Sequence, residues 1–431
     1  MTGAVARRFF SNECFFYNDC VCSHNTLSPS HAAKISRLGI SPSFAGIRTF
    51  GGEMRIILVV PEFPPDSVGG GGEVAAALMA EFAKTDDVCT IAGRPGVCSI
   101  NEIDNRGIIR IDEFPFPRKH SFLASAMPPT PRGLYNLHRS LRDADVVHIH
   151  GYGFPVVDFA AALARARKIP YLFTLHGYPV TPARRGGWLA AGFAGYRALL
   201  GDHTLRGAAA WSAVSHSVAT FYRREYGIEM TVVPNGVAAL PAVTRVRNGN
   251  EFRIFCVGRL EWIKDFATVI RALARTAGDV ILRIAGRDNG AHAELAALAG
   301  SLGVSSRVTF LGYLERNALA QEYADADVCV VASVTEAFPA VPLEAMRSGV
   351  ALITTPVGGV LEYGRDRENL LYFPVGDEVA LADRIALIRE SSTLRETIIR
   401  GGLQTASGYS WSSVARTYRH MLVSVVRGNQ N

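Results

Sequence analysis

Met54-Arg55-Ile56-Ile57-Leu58-Val59-Val60-Pro61 is the stretch that decides the fold. A short run of aliphatic, largely β-branched residues, closed by a proline, reads as a strand buried on both faces. Such strands belong to parallel sheets, whose faces are covered by helices. The chain downstream should therefore alternate strand and helix, and its pattern does. Val88–Ala92, Asp145–His150, Tyr171–Leu175, Trp211–Val214 and Thr231–Val233 read as further strands. Between them lie helical stretches such as Val74–Lys84, where Val74, Leu78 and Phe82 recur on one face. A polar break at Val246-Arg-Asn-Gly-Asn250 reads as a linker. The series then restarts with Arg253–Val257, Val280–Ala285, Val308–Leu311, Val328–Ala332 and Ala351–Thr354. Two successive β-α-β series predict an α/β fold of two similar domains, each with a mostly parallel sheet, over residues 54–245 and 251–405. The stripe Trp411, Val414, Tyr418, Leu422 and Val425 predicts a last helix within 406–431 that packs back across the domain boundary.

Composition narrows the function classes. With 48% hydrophobic and 19% charged residues, the 431-residue chain is not a disordered one. No apolar run reaches the roughly 18–20 residues that span a bilayer. Phe154–Ala164 and Trp188–Leu200 come nearest, and Asp158 and Arg197 interrupt them. Seven scattered cysteines suit neither a disulfide framework nor, with Cys20-Val-Cys22 as the tightest pair, a zinc site. A reducing cytoplasm is the expected compartment. Residues 1–53 lack periodicity and a signal-type apolar core, and although an Arg- and Ser-containing, acid-poor leader admits a transit peptide, we read them as a non-core extension or a misassigned start.

Charge is unevenly placed. The net +6 comprises +2 in residues 1–53 (five basic, three acidic), +4 in 54–245, and zero in 246–431 (twenty of each sign). Residues 165–206 concentrate Arg165, Arg167, Lys168, Arg184, Arg185, Arg197 and Arg206 against Asp202 alone. Such a segment suits an acidic substrate or anionic lipid headgroups, and Trp188, Phe193 and Tyr196 add an aromatic component. No general basic character points to nucleic acid.

Ligands of open parallel sheets bind beyond the C-terminal strand ends, so the loops there are the candidate sites. Gly69-Gly70-Gly71-Gly72-Glu73 precedes a helix after a long Pro-rich loop, and bare backbone there can approach an anion. It is not a dinucleotide fingerprint. His150-Gly151 and His176-Gly177 end two strands, and His176 is the candidate proton-bearing group. His148 and His150 share one strand face, but the sequence supplies no third metal ligand. Arg259 and Lys264, in the turn after Arg253–Val257, can neutralise a departing diphosphate without a metal. In Glu336-Ala-Phe-Pro-Ala-Val-Pro-Leu-Glu344, Pro342 suits a first helical turn, which predicts Glu344 in that turn and Glu336 in the loop before it. Carboxylates accept hydrogen bonds from vicinal sugar hydroxyls. Gly358-Gly359 forms a second glycine turn and a second candidate anion cradle. Asp143-Ala-Asp145 and Asp325-Ala-Asp327 look like metal-gripping pairs, but each precedes a buried strand and reads as a loop closure repeated in two domains.

The order of these motifs resembles the GT-B glycosyltransferases of the retaining family usually called family 4. The resemblance covers about residues 54–427, through the glycine loop at 69–72, His176-Gly177, Val233-Pro-Asn-Gly-Val237, Val257-Gly-Arg-Leu to Lys264, Glu336 to Glu344, and Gly358-Gly359. It implies two Rossmann-like domains facing a cleft, with the acceptor on the first and the nucleotide-sugar donor on the second. By resemblance, Arg259 and Lys264 hold the diphosphate, Glu344 the ribose hydroxyls and Glu336 the transferred sugar. Gly70 and Gly71 close over the donor, and His176 lies near the reacting sugar. The implied activity is metal-independent, retaining transfer from a UDP- or GDP-linked sugar to a glycan, lipid-linked or small-molecule acceptor, without a cofactor. A nucleotide-sugar 2-epimerase and a non-catalytic sugar-nucleotide-binding module share the pattern as alternatives. Two departures bear on the donor: Pro339 replaces a glycine and removes an N–H, and Ala285-Gly-Arg-Asp-Asn-Gly290 carries extra polar bulk in the second-domain glycine loop.

Overall fold

The computed structural model describes residues 54–64, 70–95, 103–104, 108–113, 127–178, 195–246 and 249–429. The readings made for residues 1–53, Gly69, Arg184, Arg185, Trp188 and Phe193 lie outside the described residues. The first sheet contains β1 (Arg55–Val60), β2 (Asp87–Pro95), β3 (Ile103–Asp104), β4 (Ile108–Glu113), β5 (Val146–His150), β6 (Tyr171–Leu175), β7 (Ala210–Ala213) and β8 (Thr231–Val232). Its order is β3-β4-β2-β1-β5-β6-β7-β8, parallel except for the β3–β4 pair. The second sheet contains β9 (Phe252–Val257), β10 (Val280–Ala285), β11 (Val308–Gly312), β12 (Val328–Val331), β13 (Ala351–Thr354) and β14 (Leu371–Tyr372). Its order is β11-β10-β9-β12-β13-β14, all parallel. The fold is α/β, with two doubly wound parallel sheets. Strands β3, β4 and β14 are additions to the sequence reading.

The opening strand of each sheet lies inside it, because its side chains cannot face water. Ile56, Ile57, Leu58, Val59 and Val60 are all 0% exposed. At roughly 1.5–3 kcal/mol for burying each large aliphatic side chain, β1 has no stable place at an edge. Winding outward from an interior strand creates a switch point, between β2 and β5 around β1 and between β10 and β12 around β9. The crevice beyond such a point opens at the C-terminal strand ends. Pro61, Pro95, His150 and Gly258 follow or end those strands, and Ser333 comes two residues after β12.

The two Asp-Ala-Asp stretches do the same job in each sheet. Asp145 Oδ2 accepts from Arg55 N at 2.7 Å, and Asp327 Oδ2 accepts from Arg253 N at 2.8 Å. Asp145 N donates back to Arg55 O at 3.0 Å, and Asp327 N to Arg253 O at 2.9 Å. Each aspartate thus ties the strand it introduces to the start of the sheet's interior strand, and both pairs lie at the strands' N-terminal ends, away from the crevice.

The chain ends on the sheet where it began. Helices Glu378–Glu390 and Ser392–Ser407 cover the second sheet, with Leu381, Ile385, Ile388 and Ile398 in its core. The chain then crosses back, and Val237 N donates to Tyr409 O at 2.7 Å. Gly236 is required at this crossing, since a Cβ there would fall 2.6 Å from the Trp411 ring. Helix Trp411–Gly428 lays Val414, Tyr418, Leu422, Val425 and Val426 against Ile56, Leu58 and Leu172 of the first sheet and Leu78 of helix Gly70–Phe82. Arg419 clamps it, donating to Asp86 from Nε at 2.7 Å and from an Nη at 3.0 Å. Among the described residues, no helix is long and apolar enough to cross a membrane.

Candidate functional site

The second sheet supplies a cation–carboxylate pair. β9 exits at Gly258, where φ is +154°, and runs beside the exit of β10. Gly258 N donates to Ala285 O and Leu260 N to Arg287 O, both at 2.9 Å. A Cβ on Gly286 would lie 1.8 Å from Gly258 O, so only glycine permits this approach. The paired exits lead into the 3₁₀ turn Trp262–Lys264. Lys264 folds its methylenes back over Gly258 and donates from Nζ to Glu336 Oε1 at 2.5 Å. Ser333 Oγ donates to the same oxygen at 2.9 Å. The two side chains are only 20% and 17% exposed, so the pair is shielded yet reachable. Arg259 stands apart from it, 44% exposed and paired with Glu261 at 2.9 Å.

The carboxylate loop is held by glycines. A Cβ on Gly358 (φ +51°) would fall 1.8 Å from Glu336 O, and one on Gly359 would strike the Phe338 ring at 2.2 Å. Gly359 N donates to Ala337 O at 2.9 Å. The structure therefore places Gly358 and Gly359 as packing for the Glu336–Phe338 loop. The helix after them is only Val360–Tyr363, so the expected anion cradle is not formed by an N-terminus of any length. Glu344 also needs correction. Its helix is Ala340–Arg347 with Pro339 at the N-cap, which puts Pro342 third and Glu344 fifth, beyond the first turn. Glu344 faces Tyr323, whose hydroxyl donates to Oε2 at 3.2 Å. Burial pushes its pKa up, against the pull of that hydrogen bond and of Arg316. In the loop after β10, Asp288 Oδ1 accepts from the N–H groups of Gly290, Ala291 and His292 at 2.9–3.1 Å, so a side chain of the protein fills the entrance to helix His292–Ser301.

The first sheet supplies histidines. His150 ends β5 and is 1% exposed. Its Nδ1 lies 2.8 Å from Nε2 of His176, just past β6, and the rings stack at 5.1 Å and 17°. Burial lowers the His176 pKa to about 4 and holds His150 well below its ordinary value, with His148 and His176 adding to the effect. Both are neutral imidazoles. Gly71, in the first turn of helix Gly70–Phe82, lies over His176, whose Cδ2 is 4.0 Å from where a Cβ of Gly71 would be, while Gly70 faces open space. The positive end of that helix further disfavours an imidazolium. Gly177 meets the opposite domain, 3.7 Å from Ala337 Cβ at its own Cβ position. The His176-Gly177 exit and the Glu336 loop thus face one another.

Three further features escaped sequence reasoning. Beneath His150, His148 Nε2 lies 2.7 Å from Thr174 Oγ1, which lies 2.6 Å from Ser212 Oγ. Glu362 joins the domains, accepting from His216 N at 2.5 Å and meeting His216 Nδ1 at 3.2 Å. Glu113 ends β4, is 2% exposed, and has two carboxyl oxygens without hydrogen-bond partners. Burial first, and then Glu62, raise its pKa to about 9. Glu113 and Glu362 lie at or beside the end of a short element, while the His148–Thr174–Ser212 contacts run across three neighbouring strands, whose adjacency the sequence does not show. Among the described residues, no group of three His, Cys, Asp or Glu side chains is arranged to hold a metal.

Similar proteins fit this geometry. Residues 68–239 match the family model Glycosyltransferase Family 4, and residues 244–405 match Glycosyl transferases group 1. A D-inositol 3-phosphate glycosyltransferase of Mycobacteroides abscessus is 32% identical over 195 residues, 44% of this chain but only 43% of that enzyme. A glycogen synthase of Mycobacterium tuberculosis is 25% identical over 405 residues, 88% of this chain and 96% of that one. Among solved structures, a sucrose-phosphate synthase from Thermosynechococcus elongatus superposes with a TM-score of 0.68 at 21% identity, covering 86% of this chain and 100% of that one. HepE from Anabaena, solved in complex with UDP and glucose, does so with a TM-score of 0.66 at 17% identity over the same shares. Together with the paired sheets and their facing strand exits, these matches place the chain in the GT-B glycosyltransferases of the family 4 type.

Proposed function

We propose that the protein moves a sugar from a UDP- or GDP-linked donor to a glycan, lipid-linked or small-molecule acceptor, with retention at the anomeric carbon and without a metal. The observation that carries this reading is the Lys264–Glu336 pair on the second domain, facing the His176-Gly177 exit of the first. The diphosphate sits on Lys264 and on Arg259, which leaves Glu261 to meet it. A leaving group that carries negative charge is stabilised by fixed cations in a shielded site, so no protonating acid is needed there. Glu336, relieved of part of its bond to Lys264, accepts from hydroxyls of the transferred sugar. Glu344 takes the ribose hydroxyls, and Gly70 and Gly71 let the helix N-terminus close over the donor. Among the described side chains at this edge, we read none as a covalent nucleophile. Attack from the face of the departing phosphate, with that phosphate taking the acceptor's proton, gives retention. The solved complexes of HepE with UDP and with UDP-glucose support a uridine donor.

The acceptor domain docks, in this reading, on the cytoplasmic face of an anionic membrane through residues 165–206. Leu199 is 75% exposed and Leu200 39% exposed, near Arg197 and Arg206. A thermal-shift screen of UDP- and GDP-sugars in the presence of EDTA, followed by transfer assays on the donors that bind, tests the enzymatic reading. Stabilisation by none of them refutes it, and acceptor-independent conversion of a nucleotide sugar would mark a 2-epimerase. Failure of anionic vesicles to pellet the protein removes the membrane role alone.

A further inference from the structure

A ladder of rings runs from the last helix to the cleft. Tyr418 packs on His148 at 4.9 Å, His148 on His150 at 4.1 Å, and His150 on His176 at 5.1 Å. Each histidine is neutral, so each carries one ring proton. His150 and His176 share one hydrogen bond, between Nδ1 and Nε2. Their remaining nitrogens, His150 Nε2 and His176 Nδ1, are buried and have no hydrogen-bond partner. Only two arrangements fit.

In one, His176 donates from Nε2. His150 must then carry its own proton on Nε2, a buried N–H with nothing to accept it, at a residue only 1% exposed. In the other, His150 donates from Nδ1. Its unpartnered Nε2 is then a bare lone pair, and the remaining proton sits on His176 Nδ1. Each arrangement leaves one unpartnered N–H and one bare lone pair, so the two differ only in which ring carries the N–H, and an N–H left without an acceptor is the rarer defect in a native structure. His176 is also the ring at the domain junction, next to Gly177 and the Glu336 loop. His176 is partly exposed, whereas His150 is 1% exposed, so of the two N–H groups the His176 one is the one that a ligand in the cleft can satisfy.

We infer that His150 is a positioning residue: its Nδ1–H fixes His176 as the Nδ1–H tautomer and aims that proton as a hydrogen-bond donor at an oxygen of the transferred sugar. This rests on the proposed reading of the cleft as a sugar-transfer site. The imidazole is a neutral donor here and not a base, because its Nε2 lone pair is occupied by His150. The β5–β6 register sets the geometry, since His150 pairs with Thr174 and His176 follows two residues on.

The test has two arms on the full chain. Long-range 1H–15N correlation of the histidine rings, assigned by loss of the His176→Asn signal, reads the tautomer without any assay of transfer. The expected result is a protonated Nδ1 and a bare Nε2 on His176. His150→Asn keeps an N–H near the Nδ1 position, while His150→Gln and His150→Phe do not. In folded His150→Gln or His150→Phe the His176 proton should move to Nε2, and kcat should fall about 10- to 100-fold, the range for a group acting through a ligand-contacting residue. Donor KM should change less than about threefold, and His150→Asn should restore most of kcat. Wild-type His176 protonated on Nε2, or the same kcat in the Asn, Gln and Phe variants, overturns the inference. If no donor turns over, the transfer reading fails and the spectra alone decide the positioning.

Discussion

Lys264→Ala removes the cation on which the proposed chemistry depends, and its effect can be sized from the structure. Lys264 is 20% exposed and its Nζ is held 2.5 Å from Glu336 Oε1. A diphosphate oxygen replacing or joining Glu336 would lie about 4 Å or less from that charge. At an effective dielectric of about 20, two unit charges at about 4 Å attract by about 4 kcal/mol. Residual solvent access screens part of this and leaves about 3 kcal/mol, close to the loss on deleting one preorganised donor at a developing anion. At about 1.36 kcal/mol per decade, kcat/KM for the donor should fall about 150-fold. Stability should fall by no more than about 1–3 kcal/mol, the bound on unpairing a buried group, because Ser333 still donates to Glu336. The assay is initial-rate transfer for wild type and variant, beside urea unfolding of both. Lys264→Arg keeps the charge and should recover part of the loss. A folded Lys264→Ala protein within about threefold of wild type refutes the reasoning.

Other expectations follow from the same geometry. Glu344→Gln keeps the shape of a side chain whose hydrogen-bonding partner is the Tyr323 hydroxyl but halves its acceptors, so donor affinity by calorimetry should weaken about tenfold with little change in Tm; unchanged affinity removes Glu344 from the ribose site. Gly358→Ala drives a methyl into Glu336 O and sits at positive φ, so it should cost about 1–3 kcal/mol of stability and abolish transfer together, and an active, equally stable variant contradicts the packing described for that loop. Glu113, raised to about 9 by burial and by Glu62, keeps its proton in the folded protein but loses it near pH 4.3 when unfolded. Its contribution is complete below that unfolded pKa and is lost as pH rises through the folded value. Glu113→Gln should therefore flatten the fall in stability between pH 5 and 9 and raise Tm at pH 8, and identical pH profiles for the two proteins would contradict this.

The sheets were legible because their strands are buried on both faces. β1, β6, β10 and β13 match the sequence reading end to end, as mostly apolar runs, the first three closed by Pro61, His176 and Gly286. β4 was not legible: Ile108-Ile-Arg-Ile-Asp-Glu113 mixes charge into a strand near the sheet edge, and Arg110 is spent on the carbonyls of Phe63 and Pro64. β14 has two residues and no pattern to read. In the site, residue types were readable and pairings were not. Sequence located Lys264 and Glu336 at two strand exits, but only the β9–β12 adjacency brings them together. Pro342 suggested where its helix begins, yet proline is tolerated throughout the first turn, where N–H groups lack partners anyway. That freedom moved Glu344 out of the first turn. His150 and His176 each ended a strand, and their contact needed the register of two neighbours 26 residues apart.

The central claim is retaining transfer from a nucleotide sugar held by the second domain. The most direct test is time-resolved 1H NMR of the reaction in EDTA, using the UDP- or GDP-sugar that stabilises the protein most. The anomeric proton of the first-formed product should show the same configuration as the donor's, with nucleoside diphosphate released in equal amount. An inverted anomer, or no transfer until a metal is restored, would contradict the account.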